Sequence, residues 1–146
     1  MQRMIFVNLP VTDLDRSVAF YEAIGARKEP KFSNEAAAMM VLSDTIHVML
    51  LTHPFYSSFT AKPIADARKT SAVLLCLSAD SREAVDATLK AAAGAGGKTD
   101  LSLRKDDTDF MYGRDFEDPD GHSWEVMWMD PGFAEKGAHA CENEEA

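Results

Sequence analysis

The first third of the chain shows two patterns of hydrophobic residues, one typical of strands and one typical of a helix. Residues from Arg3 to Val11 are rich in branched and aromatic side chains, which favours a strand. After Asp13, a suitable helix N-cap, apolar side chains recur at helical spacing until Gly25 ends the segment. Three more strands are predicted after it: a polar edge strand at Ala26 to Phe32, and apolar strands at Ala36 to Leu42 and Thr45 to Thr52.

The same order of elements recurs in the second half of the chain. A strand is predicted from Ala72 to Ser78, and the helix after it opens with Asp80 and Glu83, a variant of the capping box. The Asp-Pro-Asp-Gly sequence at 118–121 suits a type I turn between the last two strands. The three strands predicted after the helix are Lys98 to Leu103, Phe110 to Phe116 and His122 to Met129.

The segment between the two halves follows neither period. Its prolines and aromatic residues predict a packed connector, with a short helix after Pro63. The chain is therefore predicted to contain a first module at 1–52, a connector at 53–71, a second module at 72–130 and a flexible acidic tail at 131–146.

Composition narrows the range of partners. The net charge is −9 and the Lys and Arg residues are scattered, which argues against nucleic acid or an anionic membrane as partner. The apolar runs are too short to span a bilayer or to form a signal peptide. Cys76 and Cys141 lie in unlike surroundings, so no disulfide is predicted and a reducing compartment suits both. We predict a soluble cytoplasmic protein that binds a small molecule or another protein.

Two sequence motifs, taken with the duplication, resemble a known superfamily. VTDLDRSVAFYEAIG opens the first half and EDPDGHSWEV closes the second. A duplicated strand-helix-three-strand module with these motifs is similar to the vicinal oxygen chelate group of glyoxalases, bleomycin-resistance proteins and extradiol dioxygenases. The resemblance covers residues Met1 to Asp130. It implies an α+β fold of two βαβββ modules whose sheets curve round a shared cup, and it implies a homodimer.

The resemblance also implies where a metal ion would be held. In metal-using members, one His or Glu ligand comes from the first strand and one from the last strand of each module. The matching positions are predicted here at Phe6, Leu50, Leu74 and Glu125. Three of the four side chains are hydrocarbon, so we predict no family-type metal site and no cofactor. A nonstandard site that joins Glu125 to His53 and Cys76 stays open as an alternative.

Side chains alternate along a strand, so the matching positions predict which residues share the cup with Glu125. The residues predicted to bind a ligand there are Phe6, Asn8, Leu50, Thr52, Leu74, Cys76, Tyr112, Arg114 and Met127. Tyr112 and Arg114 are candidate partners of the Glu125 carboxylate, although the sequence leaves open which face they share. Without a partner the pKa of this carboxylate is expected to rise. His47 has the opposite parity to Leu50 and is expected to point toward a helix or a subunit interface.

Three functions fit these predictions. The first is a metal-free member that binds an apolar or amphipathic small molecule in the cup. The second is a glyoxalase-like lyase or isomerase that uses Glu125 as the catalytic acid or base, or a nonstandard metal site. In the third, the cup is filled by its own side chains and the module serves to dimerise or to bind another protein. Glu125 also has a purely structural interpretation, as a carboxylate paired with a buried Arg or Tyr.

Overall fold

Two modules with the same order of elements make up the chain, in a computed structural model that describes residues 2–137. A short helix opens the connector, and another follows the last strand. The first module contains β1 (Ile5–Val11), α1 (Leu14–Ala23), β2 (Arg27–Glu29), a 3-10 turn (Pro30–Phe32), β3 (Ala37–Val41) and β4 (Ile46–Thr52). The remaining elements are α2 (His53–Ser57), β5 (Leu75–Ala79), α3 (Arg82–Gly94), β6 (Lys98–Thr99), β7 (Met111–Glu117), β8 (Ser123–Met129) and α4 (Pro131–Lys136).

Each module forms a mixed four-stranded sheet with one parallel pair. The strand orders are β1-β4-β3-β2 and β5-β8-β7-β6. The first strand of each module runs parallel to the last, and the other pairs are antiparallel. The predicted α+β fold with paired βαβββ modules is therefore confirmed. Among the described residues, no helix is both long enough and apolar enough to cross a membrane.

The helix ends follow from local chemistry, and they correct one prediction. Asp13 caps α1 as predicted, because its carboxylate accepts the backbone N–H of Arg16 at 3.1 Å. The cap of α3 is Ser81 and not Asp80, since the Ser81 hydroxyl accepts the backbone N–H of Ala84 at 3.0 Å. The helix therefore begins one residue later than the capping-box pattern indicates.

The strand predicted from Lys98 to Leu103 is much shorter in the structure. It ends at Thr99, and Asp100 turns the chain with a φ of 60°. The next two backbone N–H groups, of Leu101 and Ser102, donate to the Asp115 carboxylate at 2.9 and 3.0 Å. Side-chain hydrogen bonds thus replace the strand ladder at this point.

Two further predictions differ from the structure at the connector and the tail. The helix of the connector is α2, which has Pro54 in its first turn. The predicted helix after Pro63 is not formed, since residues 63–71 of the connector are not helical. The first part of the predicted flexible tail is α4, whose Phe133 is buried and stacks on Phe110 at 4.9 Å. The prediction for 138–146 lies outside the described residues.

The main core lies where α1 packs against both sheets. Phe20 and Tyr21 of α1 are fully buried and contact Phe116 of β7 and Trp124 of β8 through their aromatic rings. Leu9, Val48 and Leu50 from the first sheet belong to the same cluster. One face of each sheet therefore packs in the core, and the opposite face of each sheet points away from it.

Buried hydrogen bonds tie the turn between β7 and β8 to α1. The Tyr21 hydroxyl donates to Asp118 at 2.6 Å and accepts the indole N–H of Trp124 at 3.0 Å. The Asp120 carboxylate accepts the backbone N–H and the hydroxyl of Thr12 at 3.0 and 2.7 Å. We call these five residues the turn clamp. The Asp-Pro-Asp-Gly motif thus joins the second module to the first in addition to forming a turn.

Candidate functional site

Two sheet faces point away from the core, and each carries polar side chains among its apolar ones. We define the module 1 face by Phe6, Asn8, His47, Met49 and Leu51. They alternate with core residues on β1 and β4, and the two strands pair Phe6 with His47 and Asn8 with Met49. The module 2 face is defined by Leu74, Cys76, Gly113, Asp115, Ser123, Glu125 and Met127. Leu74 directly precedes β5, and the other residues alternate on β5, β7 and β8 with core side chains such as Trp124 and Val126.

The predicted facing of strand β4 is wrong by one residue. Leu50 is fully buried in the core cluster, and Thr52 lies on the same side of the strand. The strand register shows which residue of β4 occupies the position equivalent to Glu125. Cys76 pairs with Glu125 in the second module, and Asn8, the counterpart of Cys76, pairs with Met49 in the first. Met49 is therefore the counterpart of Glu125. Leu50 and Thr52 are removed from the predicted ligand-binding set, because a one-residue shift moves a side chain to the opposite face.

His47 is on the opposite side of β4 from Leu50, as its parity predicts, and its expected contact with a helix or a subunit interface stays a prediction. It lies on the module 1 face, where its ring stacks on Phe6 with centroids 4.6 Å apart and an interplanar angle of 18°. Only 6% of His47 is exposed. Its Nδ1 atom is buried without a hydrogen-bond partner among the described residues.

Glu125 lies in the middle of β8 on the module 2 face, opposite Asp115. Gly113 leaves space for it, because a Cβ atom there would lie 2.9 Å from the Glu125 Oε1 atom. Within residues 2–137 no hydrogen bond to the Glu125 carboxylate is found. Burial raises the pKa of this carboxyl group, the charges of Asp106 and Asp115 raise it further, and Arg104 opposes them. The expected rise in pKa thus has burial as its main cause.

Tyr112 and Arg114 are not the partners of Glu125. Both lie on the opposite face of β7, where Tyr112 pairs with Trp128 of β8. The Tyr112 hydroxyl donates to Asp86 of α3 at 2.6 Å, and the Arg114 guanidinium lies 4.1 Å from the centre of the Tyr112 ring. The register of the β7–β8 hairpin could have revealed this, since it places Asp115 opposite Glu125.

A groove of about 200 Å³ runs along the module 2 face beside Glu125. Its walls include Leu74 and Leu101, together with the Asp115 carboxylate. One Asp115 oxygen accepts the two loop N–H groups described above, whereas the other, Oδ1, is buried without a hydrogen-bond partner in the described chain. The sequence analysis missed Asp115, because its position depends on the hairpin register.

Of the three residues of the suggested nonstandard metal site, Cys76 and Glu125 are neighbours and His53 lies apart from them. His53 lines a cavity with Arg68 and Asp120, whereas Glu125 lines the groove on the module 2 face. Cys76 is opposite Glu125, and burial together with the charges of Glu125 and Asp106 raises the pKa of its thiol. Among residues 2–137, no group of three or more His, Cys, Asp or Glu side chains is arranged to hold a metal ion.

Large apolar side chains on and beside both faces are open to solvent. Phe6 is 43% exposed and Leu74 is 77% exposed, one on each face. Phe59, in the connector, is 69% exposed and lines a cavity with Asn8 and Leu51. Apolar patches of this kind on a soluble protein are typical of surfaces that bind a ligand or another chain.

Comparison with known proteins identifies the relatives of this fold. The family model for the Glyoxalase/Bleomycin resistance protein/Dioxygenase superfamily matches residues 3–126. No curated protein matches the chain. A hypothetical protein from S. aureus is similar in structure, with a TM-score of 0.72 and 22% identity over 88% of this chain and 94% of that one.

Two similar structures belong to proteins that are named for their roles. A fosfomycin resistance protein from Listeria monocytogenes has a TM-score of 0.62 and 17% identity over 88% of this chain and 91% of that one. An antibiotic binding protein from Streptomyces sp. CB03234 has a TM-score of 0.61 and 16% identity over 89% of this chain and 98% of that one. At these identities the likeness shows the fold. The family model covers most of the chain, and the chain therefore belongs to the Glyoxalase/Bleomycin resistance protein/Dioxygenase superfamily.

Proposed function

We propose that this chain binds a small apolar or amphipathic molecule on the module 1 and module 2 faces, without a family-type metal ion. The observation that carries the proposal is the chemistry at the four matched positions. Met49 and Glu125 occupy equivalent positions in the two modules. Phe6 lies two residues before Asn8, the strand partner of Met49, and Leu74 lies two residues before Cys76, the strand partner of Glu125. Only Glu125 offers a carboxylate. The Phe6 ring and the Leu74 side chain have no lone pair for a cation, and the Met49 thioether is a soft ligand that divalent Mg or Mn does not prefer.

The relatives are compatible with a binding role. One similar structure is an antibiotic binding protein, which shows that this fold can serve binding in at least one member. The exposed apolar side chains on both faces supply the contact surface that such a ligand needs, and Asn8 and Glu125 supply polar groups beside them. Phe6, Asn8, Leu74, Cys76 and Met127 keep their predicted role as ligand contacts.

We also infer that a second copy of the chain covers these faces. Phe6 and Leu74 would be poorly solvated in an isolated subunit, and their burial between two copies would stabilise a homodimer. The free thiol of Cys76 suits the proposed cytoplasmic location. The net charge of −9 gives no reason to expect nucleic acid as a partner.

The first experiment measures metal content. The protein is purified without chelator, incubated with Ni, Zn, Mn and Fe in turn, and analysed beside the Glu125→Ala variant. We expect no stoichiometric ion in either protein, and a broad thermal-shift screen should find apolar compounds that raise the melting temperature. Near-stoichiometric metal that is lost in Glu125→Ala would overturn the metal-free proposal. A screen in which no compound binds would favour the alternative that the faces serve only to dimerise or to bind another protein.

A second candidate function is favoured by the surroundings of Glu125. A carboxyl group with a raised pKa and space in front of it is suited to proton transfer, so Glu125 is the candidate acid or base of a lyase or isomerase. For any compound that the screen shows to be converted, Glu125→Gln should abolish turnover and leave its binding nearly unchanged. Retained turnover in this variant would exclude the role.

A further inference from the structure

His47 and Asp115 are the two side chains that each have a buried polar atom without a hydrogen-bond partner among the described residues, and His47 is the one on the module 1 face. It lies on β4, on the module 1 face, and it is not one of the matched positions of the superfamily. Its Nδ1 atom is shielded from solvent and has no hydrogen-bond partner in the described part of the chain. An unpaired buried nitrogen destabilises a folded protein unless something else satisfies it. A ligand that reaches this atom would remove the deficit.

Phe6 is the side chain that covers the imidazole. Its ring lies nearly parallel to that of His47, and it is 43% exposed. It belongs to β1, which lies at the edge of its sheet and, within residues 2–137, pairs with β4 alone. A change of the Phe6 side-chain rotamer would therefore uncover His47 without disturbing the core.

A cavity on the same face gives a ligand room to bind beside this pair. It has a volume of about 330 Å³ and is lined by Asn8, Leu51, Tyr56, Phe59 and Thr60. Asn8 follows Phe6 by two residues on the same face of β1, so the Asn8 end of the cavity lies beside Phe6, although neither Phe6 nor His47 is a lining residue. The rings of Tyr56 and Phe59 offer flat apolar contact surfaces, and aromatic rings pair favourably with such surfaces.

We infer that His47 anchors the hydroxyl group of an aromatic ligand that binds in this cavity and displaces the ring of Phe6. The ligand ring extends from the cavity into the space that the Phe6 ring vacates, and its hydroxyl lies in the plane of the imidazole, as a hydrogen bond to Nδ1 requires. A phenol-like hydroxyl suits either tautomer of the imidazole, because it donates to a bare nitrogen and accepts from an N–H. This inference rests on the proposed binding function and names the ligand class and a residue that the matched positions do not include.

The test uses two probes that differ in one group, 2-naphthol and 2-methylnaphthalene. Binding is measured for the wild type, for His47→Phe and for the control His53→Phe, a histidine in the connector. We expect His47→Phe to weaken 2-naphthol binding by about tenfold, the typical effect of one lost hydrogen bond, and to leave 2-methylnaphthalene unchanged. His53→Phe should leave the affinity for both probes unchanged.

Two further measurements separate this role from a structural one. The melting temperature of His47→Phe should not fall, because the phenyl ring keeps the stack on Phe6 and removes the unpaired nitrogen. In the wild type, the 15N chemical shift of His47 Nδ1 should change when 2-naphthol is added and change much less with 2-methylnaphthalene. The second measurement needs no variant, so it decides the question even where His47→Phe folds poorly.

The possible failures have different meanings. Equal affinity of wild type and His47→Phe for 2-naphthol would overturn the anchor and leave the proposed binding function intact. No binding of 2-naphthol to the wild type would also overturn it. In that case a thermal-shift screen with aliphatic amphiphiles decides separately whether the proposed function survives. A 15N chemical shift of His47 Nδ1 that changes when the protein is diluted without any probe would show that a second copy contacts this atom, and it would overturn the anchor.

Discussion

At the scale of single residues, the chemistry of the site depends on the charge state of Glu125. Its carboxylate lies opposite that of Asp115, and Asp106 adds a third negative charge nearby. Like charges on directly opposed residues of two strands destabilise a sheet. Proton uptake by Glu125 relieves this repulsion and the cost of burying a charge, which is why the pKa of this group is raised.

We predict that Glu125→Gln stabilises the folded protein near neutral pH. A raised pKa means that the folded chain holds the proton more tightly than the unfolded chain, so the free energy of unfolding falls as the pH rises through that pKa. The uncharged variant does not lose this stability. Urea unfolding should show the variant to be the more stable protein near pH ~7, and the difference should vanish near pH ~3.5.

The exposed Glu35 provides the control for this experiment. Glu35→Gln should leave the free energy of unfolding nearly unchanged at both pH values, as is usual for surface substitutions. A Glu125→Gln variant less stable than wild type near neutral pH would contradict the prediction. It would indicate that the ionised carboxylate has a partner that stabilises the fold.

The residues on strand β4 show where sequence analysis reached its limit at this scale. Alternation of apolar and polar side chains identifies the buried face of a strand. In IHVMLLT nearly every side chain is apolar, so alternation could not tell whether Leu50 or its neighbours face the core. On β8, by contrast, Ser123, Glu125 and the two tryptophans alternate clearly, and their predicted facing agrees with the structure.

At the scale of elements, the turn clamp determines how the second module is attached to α1. Tyr21 is its centre, because one hydroxyl group serves both Asp118 and Trp124. Burial raises the pKa of Tyr21 and, with the Asp118 carboxylate as acceptor, keeps the hydroxyl protonated. The turn itself was predictable from Asp-Pro-Asp-Gly, since each residue has a known place in a type I turn. The contact with α1 was not predictable, because it joins residues nearly a hundred positions apart.

We predict that Tyr21→Phe lowers the free energy of unfolding by about 1–3 kcal/mol, since it leaves a buried acceptor and a buried donor unpaired. Urea unfolding measures the change. Tyr56→Phe is the matched control, because no hydrogen bond of the Tyr56 hydroxyl is found among residues 2–137, and it should change stability by less than about 0.5 kcal/mol. Equal effects of the two substitutions would show that the clamp contributes little.

At the scale of the whole molecule, the duplicated fold leaves one face of each sheet outside the core, with Phe6 and Leu74 exposed there although His47 and Leu51 are buried. The duplication was visible in the sequence because both halves repeat the same order of strand and helix patterns, and the structure confirms the two modules. The use of the two open faces was harder to predict, since it depends on contacts beyond a single chain. Exposed Phe6 and Leu74 are the side chains that a second copy would bury.

We predict that Leu74→Asp shifts the protein from dimer to monomer. A buried aspartate in the proposed interface would be an unpaired charge, and it would add to a net charge that is already −9 in each chain. Sedimentation velocity over a range of protein concentrations measures the change.

Phe32→Asp is the control, because Phe32 is similarly exposed but follows β2, the strand at the far edge of the first sheet from β1. It should leave the dimer intact. A wild type that sediments as a monomer at all concentrations would contradict the assembly, and the two faces would then have to bind their ligand as open surfaces of one chain.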